Sequence, residues 1–182
     1  MQNAYFAPII GMRKKRELVA GAFYHVTSRT NNKIKAFESN LGRKIMLITL
    51  KDAKEKYKFR LTNFCVMPTH IHLLIKPETN TKLNIVIQWL KTISAKRWNF
   101  IHGAVDHMWG ERYFSRVIKN DDEYEAIMKY IDLNPIAAGL ASFPEEWKAS
   151  AAFHKKHGIS SLVDLSPADS PKEIICLPEC EW

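Results

Sequence analysis

Residues 64–76 read Phe64-Cys65-Val66-Met67-Pro68-Thr69-His70-Ile71-His72-Leu73-Leu74-Ile75-Lys76, an apolar run that contains two histidines. Pro68 interrupts the run, and the residues that follow it are typical of a strand. Because side chains alternate across a strand, His70 and His72 share one face. Their Cβ atoms are expected roughly 6–7 Å apart, so both imidazoles could hold one divalent ion. A hydrogen-bonded histidine pair on a half-buried strand is the simpler alternative.

Strand-like and helix-like segments alternate around this stretch. Strand composition is found at 21–29, 59–66 and 112–118, and helical periodicity at about 39–57, 81–100 and 120–133. The order strand, helix, strand, strand, helix, strand, helix predicts an α+β, ferredoxin-like fold, with an antiparallel sheet and helices packed on one face. In that topology the histidine strand lies beside the first strand, so His25 is expected on the same surface as His70 and His72.

The last predicted helix begins at Asn120, which is followed by acidic residues that suit a helix N-terminus. It is expected to end at Leu133, because Asn134 precedes Pro135 and is biased away from helical dihedrals. Asn134 would then cap a short following helix. Tyr130 and Asn134 would share a face only if the first helix continued. Spacing alone favours a buried Tyr130.

Charge is the most informative feature of the composition. The 182 residues carry a formal net charge of +8, which favours a polyanionic partner, nucleic acid ahead of an anionic membrane surface. No apolar run is long enough to span a membrane, and no signal-peptide core precedes the first charges, so we expect a cytoplasmic protein without membrane contact. Three cysteines are too few and too scattered for a disulfide framework.

Three parts are predicted along the chain: a basic N-terminal extension at 1–20, one domain at 21–155, and an acidic, proline-containing C-terminal tail at 156–182. The extension carries Arg13-Lys14-Lys15-Arg16, which is either a solvated surface run or a contact to a phosphate backbone. Arg29, at the end of the first strand, is a second candidate for a phosphate contact.

Four blocks of this chain resemble the IS200/IS605-like single-tyrosine transposases of the HUH superfamily, and among them the REP-associated tyrosine transposases. Residues 67–75 look like the family's His-hydrophobic-His metal strand, and residues 130–140 are similar to the nucleophile helix of the REP-associated branch. Residues 24–32 resemble the opening strand, and residues 108–114 resemble the start of the fourth strand. The blocks follow the family order and span roughly residues 20–150.

The resemblance implies that 21–155 is an IS200-like catalytic domain whose nucleophile helix follows the fourth strand, with Tyr130 as nucleophile. It implies His70, His72 and Asn134 as ligands of Mg²⁺ or Mn²⁺, with His25 in a supporting position. The implied partner is single-stranded DNA with hairpin, REP-like elements, bound by a monomer or homodimer. The basic residues expected to contact this DNA are Arg13, Lys14, Lys15, Arg16, Arg29, Arg112 and Arg116.

The implied reaction is attack of Tyr130 on a phosphodiester, which gives a 5′-phosphotyrosine and a free 3′-OH. A 3′-OH can later attack the phosphotyrosine and rejoin strands without a nucleotide cofactor. Two residues depart from the family pattern. Thr30 stands where glycine is frequent, and Thr69 stands where asparagine often precedes the first histidine. Either could alter DNA positioning, but neither removes a catalytic group.

Three other functions stay open. A metal-dependent nuclease that activates water needs the same histidines but not Tyr130. A cyclic phosphodiesterase needs two His-x-Thr/Ser elements; His25-Val26-Thr27 supplies one, whereas His70-Ile71-His72 lacks the hydroxyl. A non-catalytic nucleic-acid-binding module is the third alternative, although the aromatic pattern of the common RNA-binding sheet is absent.

Overall fold

The structure is a computed structural model that describes residue 19 and residues 21–78, 80–105, 107–110 and 112–164. The elements are β1 (Tyr24–Arg29), α1 (Asn40–Lys56), β2 (Phe59–Met67), β3 (His70–Pro77), α2 (Leu83–His102), β4 (Phe114–Val117), α3 (Asp121–Ala137) and α4 (Ala151–Lys156), with 3-10 turns at Asn31–Lys33 and Pro144–Glu146. The predicted contacts at Arg13, Lys14, Lys15 and Arg16, and the tail from residue 165 onward, lie outside the described residues.

The four strands form one antiparallel sheet in the order β2-β3-β1-β4. This is the ferredoxin-like arrangement predicted from the order of the elements, with β3 and β1 at the centre. A short turn at Pro68 and Thr69 joins β2 to β3, as expected for a hairpin. The histidine strand is therefore flanked by strands on both sides.

The two faces of the sheet are covered by different helices. Val26, Leu73 and Phe64 point to the face that packs against α1 and α2, where the main core lies. The opposite face carries a smaller apolar cluster, in which Leu74 packs with Ile131 of α3. The two helices that connect strands thus lie on one face, as predicted, and α3 covers part of the other face.

α3 runs through Pro135 to Ala137, so the prediction that it ends at Leu133 is wrong. Pro135 cannot donate the backbone hydrogen bond that its position calls for. Its side chain is buried, and that burial offsets the missing bond. Asn134 is consequently not the cap of a separate helix. It lies one turn beyond Tyr130 on a continuous helix, and the two residues share a face.

Other boundaries differ at their ends. β1 begins at Tyr24 rather than at residue 21, and β4 begins at Phe114 rather than at residue 112. Residues 140–164 form turns and α4, where no element is predicted from the sequence, and the Val66 amide donates to the Ala149 carbonyl at 2.9 Å. Asp164, in the predicted tail, accepts a hydrogen bond from the Leu61 amide at 2.7 Å, so packed structure continues at least to this residue. Within the described ranges, no helix is both long and apolar enough to cross a membrane.

Candidate active site

The centre of the site is a contact between two histidines on adjacent strands. His25 Nε2 on β1 lies 3.0 Å from His72 Nδ1 on β3. In the register of the two strands His72 is opposite Thr27, whose hydroxyl oxygen lies 3.2 Å from the same Nδ1 atom. Because opposite residues of an antiparallel pair share a face, the sheet itself brings these three side chains together.

His70 completes the cluster. Its ring centroid lies 4.9 Å from that of His72, with the two planes nearly perpendicular, which confirms the prediction that both histidines share a face. Its Nδ1 atom lies 3.1 Å from the Thr69 hydroxyl. Thr69 is one of the two residues that depart from the family pattern, and in this structure it orients the His70 ring.

Burial lowers the pKa of all three imidazoles. The effect is largest at His72, where burial, together with the positive charges that His70, His25 and Arg29 can carry, lowers the pKa to about 3. Burial and Arg29 lower the pKa of His70, and burial and Arg116 lower that of His25. The histidines are therefore neutral near pH 7, which is the form that offers a ring nitrogen to a cation.

One atom tests whether the site suits a divalent cation. His72 Nε2 is buried without a hydrogen-bond partner, whereas its Nδ1 is held by His25 and Thr27. A buried, unpaired ring nitrogen is costly unless something else takes its lone pair. In metal sites the second ring nitrogen of a histidine ligand is commonly fixed in this way. His72 thus fits the role of a cation ligand.

A third ligand to such a cation would have to be of another type. In the part of the chain that the structure describes, no three His, Cys, Asp or Glu side chains are grouped so as to hold a metal ion. Asn134 was predicted as the third ligand from the resemblance. Its amide Nδ2 donates to the Tyr130 carbonyl at 2.7 Å, and its amide oxygen is the atom that could serve as a ligand.

Tyr130 reaches the histidine cluster from α3. Its ring centroid lies 5.5 Å from that of His72 and 5.8 Å from that of His25, with edge-to-face geometry in both contacts. The side chain is 51% exposed, so it is not the buried tyrosine that spacing alone favours. Ile131, the next residue, is fully buried against the sheet and fixes this part of α3. A solvent-accessible phenol therefore stands beside neutral imidazoles.

The predicted DNA-contacting arginines that the structure describes are all exposed. Arg29 is opposite His70 in the strand register, and Arg116 is opposite His25. Arg116 also forms an ion pair with Glu123 at 2.6 Å. Arg112 precedes β4 and lies outside it. Two of the three candidates thus border the histidine cluster.

Two residues that position the side chains of the site or its helix were not predicted from the sequence. Thr27 has no predicted role in the metal site, yet its hydroxyl contacts both His25 and His72. Asn63 on β2 is fully buried and donates to Asp132 of α3. An asparagine inside an apolar strand was the available signal, because such a residue needs a buried partner.

Comparisons with known proteins agree with the fold. The sequence model of the family described as "Transposase IS200 like" matches residues 19–134, more than half of the chain. A Haemophilus influenzae protein provisionally named a REP-associated tyrosine transposase is 24% identical over 154 residues, which cover 78% of this chain and 85% of that protein. A solved structure of a REP-associated tyrosine transposase bound to a REP hairpin is similar in fold, with a TM-score of 0.69 and 18% identity, covering 94% of this chain and 98% of the other.

Proposed function

We propose, since this chain belongs to the IS200-like transposase family, that it cleaves and rejoins single-stranded DNA through a 5′-phosphotyrosine on Tyr130. One observation carries the proposal: the half-exposed Tyr130 phenol stands edge-on against the neutral imidazoles of His72 and His25. A tyrosine in an apolar interior, or on a surface away from ionisable groups, would not support this chemistry.

In the first step the Tyr130 phenolic oxygen attacks the phosphorus of a DNA phosphodiester, and the bond from phosphorus to the 3′-oxygen breaks. The phenol gives up its proton, and the 3′-oxygen leaves as a hydroxyl after it gains one. The free phenol has a pKa of about 10, so it needs activation at neutral pH. In the second step a 3′-OH attacks the phosphorus of the phosphotyrosine, and the bond from phosphorus to the Tyr130 oxygen breaks. The new phosphodiester rejoins the strands, and Tyr130 is released.

Three side chains are proposed to hold a cation: His70, His72 and Asn134. Mg²⁺ or Mn²⁺ would polarise a non-bridging phosphate oxygen and stabilise the leaving 3′-oxygen. Mn²⁺ accepts nitrogen ligands more readily than Mg²⁺, which prefers oxygen. His25 and Thr27 are not proposed as ligands. Their contacts to His72 Nδ1 fix the orientation of that ring.

The proposed substrate is single-stranded DNA that carries hairpin elements. The net charge of +8 supports a polyanionic partner. The solved relative that shares the fold is bound to a REP hairpin, and a similar hairpin is the first substrate to test. Arg29 would supply positive charge beside the histidine cluster, since it is exposed and opposite His70.

The experiment is to incubate labelled single-stranded hairpin DNA with the protein and Mn²⁺, and to look for an SDS-resistant protein–DNA adduct. Tyr130→Phe should abolish the adduct and leave hairpin binding nearly unchanged. Tyr124→Phe is the matched control, because it removes a hydroxyl from the same helix, where the Tyr124 ring packs on Phe23. Strand cleavage that persists in Tyr130→Phe would reject the proposal and favour a nuclease that uses water.

A further inference from the structure

Phe114 is a large apolar side chain exposed on the same face of the sheet as the histidines. It lies in β4, opposite Thr27 of β1, and 62% of its surface is accessible. Its neighbours Tyr113 and Val117 point to the other face and are buried in the main core. Because side chains alternate along a strand, Phe114 points to solvent on the face that carries the histidines, and the described residues leave it largely exposed.

Phe114 is also close to the reacting groups. Directly opposite residues of an antiparallel pair have Cβ atoms about 5 Å apart, so the Phe114 ring begins next to Thr27. The Thr27 hydroxyl in turn lies 3.2 Å from His72 Nδ1. Tyr130 contacts the same histidine from α3. The aromatic ring and the phenol thus flank the histidine cluster from different directions.

This part of the face is open because α3 packs mainly on β2 and β3. The β1 and β4 side presents Arg29 and Arg116, both exposed, on the same face as Phe114. Arg116 is paired with Glu123, which leaves Arg29 as the cation on this side that forms no ion pair with a carboxylate of the described residues. An exposed aromatic ring near an exposed cationic side chain is the combination that binds single-stranded nucleic acid, where a base stacks on the ring and the cation meets the backbone. The positive charge of Arg29 favours an anionic partner.

We propose that Phe114 is a stacking platform for one unpaired base next to the phosphate that Tyr130 attacks. The inference rests on the proposed function, which supplies single-stranded DNA as the substrate. It adds a residue that positions this DNA strand in the site. A stacked base fixes the position of the adjoining phosphodiester relative to the histidines. A duplex cannot supply this contact, because its bases are stacked on one another, so the platform selects single-stranded DNA beside the hairpin.

The test measures binding in the Tyr130→Phe background, so that no covalent step contributes. Hairpin DNA with a single-stranded flank is used, and one abasic site is placed at each flank position in turn. Phe114→Ala should weaken binding of intact DNA by about tenfold, and Phe114→Trp should restore it. When Phe114 is present, an abasic site at one flank position should weaken binding by about the same factor as Phe114→Ala does. In Phe114→Ala, the same abasic site should leave the affinity almost unchanged.

Phe143→Ala is the matched control, since Phe143 is 64% exposed but lies beyond α3, outside every strand. It should leave binding unchanged. Equal losses at all flank positions, or a Phe114→Ala variant that binds as well as its parent, would overturn the inference. A change in oligomeric state with unchanged DNA affinity would instead assign Phe114 to contact with a second copy of the chain.

The two proposals fail separately. If the wild-type chain forms the Tyr130 adduct but Phe114 substitutions change neither affinity nor the abasic profile, the stacking inference is wrong and the proposed function stands. If no adduct forms under any condition while the abasic profile depends on Phe114, Phe114 stacks on a base as inferred, but the proposed chemistry at Tyr130 is wrong.

Discussion

Asn63, fully buried on β2, donates its amide Nδ2 to the Asp132 carboxylate of α3 at 2.8 Å. The same nitrogen donates to the Met128 carbonyl at 3.1 Å. Apolar side chains such as Leu74 and Ile131 form the buried cluster around this contact. Apolar contacts alone tolerate rotation and sliding of a helix, whereas a buried hydrogen bond fixes one arrangement. The pair therefore sets the rotation of α3 two residues away from Tyr130.

The Asn63–Asp132 contact is expected to couple stability and reactivity. Asn63→Ala should lower the free energy of unfolding by about 1–3 kcal/mol, because the hydrogen bond from the buried Asn63 amide to the half-buried Asp132 carboxylate is lost. In a cycle with Asp132→Ala and the double variant, urea denaturation should give a coupling energy of about 0.5–3 kcal/mol. Adduct formation should slow in Asn63→Ala even where the protein is folded. Strictly additive effects of the two substitutions would argue against the pair.

A divalent cation should stabilise the protein through His72. Mn²⁺ at about 100 times its dissociation constant should add about 2.7 kcal/mol to the free energy of unfolding of the wild-type chain. His72→Gln should lose most of this gain, because the buried Nε2 is removed. His102→Gln, at an exposed position at the end of α2, is the control and should keep it. A thermal shift that survives His72→Gln would place the ion elsewhere.

Acid should destabilise the fold partly through His154. This residue is buried against the Phe64 ring, and burial lowers its pKa from 6.5 to about 4. Between these values the unfolded chain binds the proton and the native chain does not, so stability falls as the pH drops below 6.5 and is full above it. The loss amounts to as much as about 3 kcal/mol.

His154→Gln should flatten this dependence, and His102→Gln should leave it as steep as in the wild type. Urea denaturation at pH values near 7 and 4.5 measures the difference, and the remaining slope reports the other groups whose pKa differs between the folded and the unfolded chain. An unchanged slope in His154→Gln would show that His154 has the same pKa in the folded and in the unfolded chain.

Arg29 should contribute to DNA affinity through a phosphate. Arg29→Gln is expected to weaken hairpin binding and to reduce the slope of log affinity against log salt by about 0.7, the value for one contact on a single strand. Lys51→Gln, at an exposed position on α1 on the far side of the sheet, should change neither. Fluorescence anisotropy across a salt series measures both quantities. If both variants gave the same slope of log affinity against log salt, Arg29 would not be a phosphate contact.

Local sequence pattern predicted the histidine side of the site because one constraint dominates there. Ile71, Leu73 and Ile75 must enter the main core, and that requirement leaves His70 and His72 on the other face. The position of His25 followed from topology, since β1 pairs with β3 in the ferredoxin-like order. These features depend on alternation and element order, both of which are written in the sequence.

Other features depend on contacts between distant residues. Asn63 and Asp132 are 69 positions apart, and no local pattern pairs them. The end of α3 was predicted from the local preference of the residue before a proline, but Pro135 is buried and the helix continues. That continuation places Asn134 on the Tyr130 face. Tertiary packing overrode local preference here, and the site depends on the result.

The most direct test of the account is to identify the residue that carries the DNA. Trypsin cleaves after Lys129 and Lys148, so Tyr130 begins a peptide of residues 130–148 that contains no other tyrosine. After nuclease digestion of the adduct, mass spectrometry should find the residual 5′-nucleotide on this peptide and on Tyr130. Attachment to the preceding peptide, which contains Tyr124, or DNA cleavage without any modified peptide, would contradict the account.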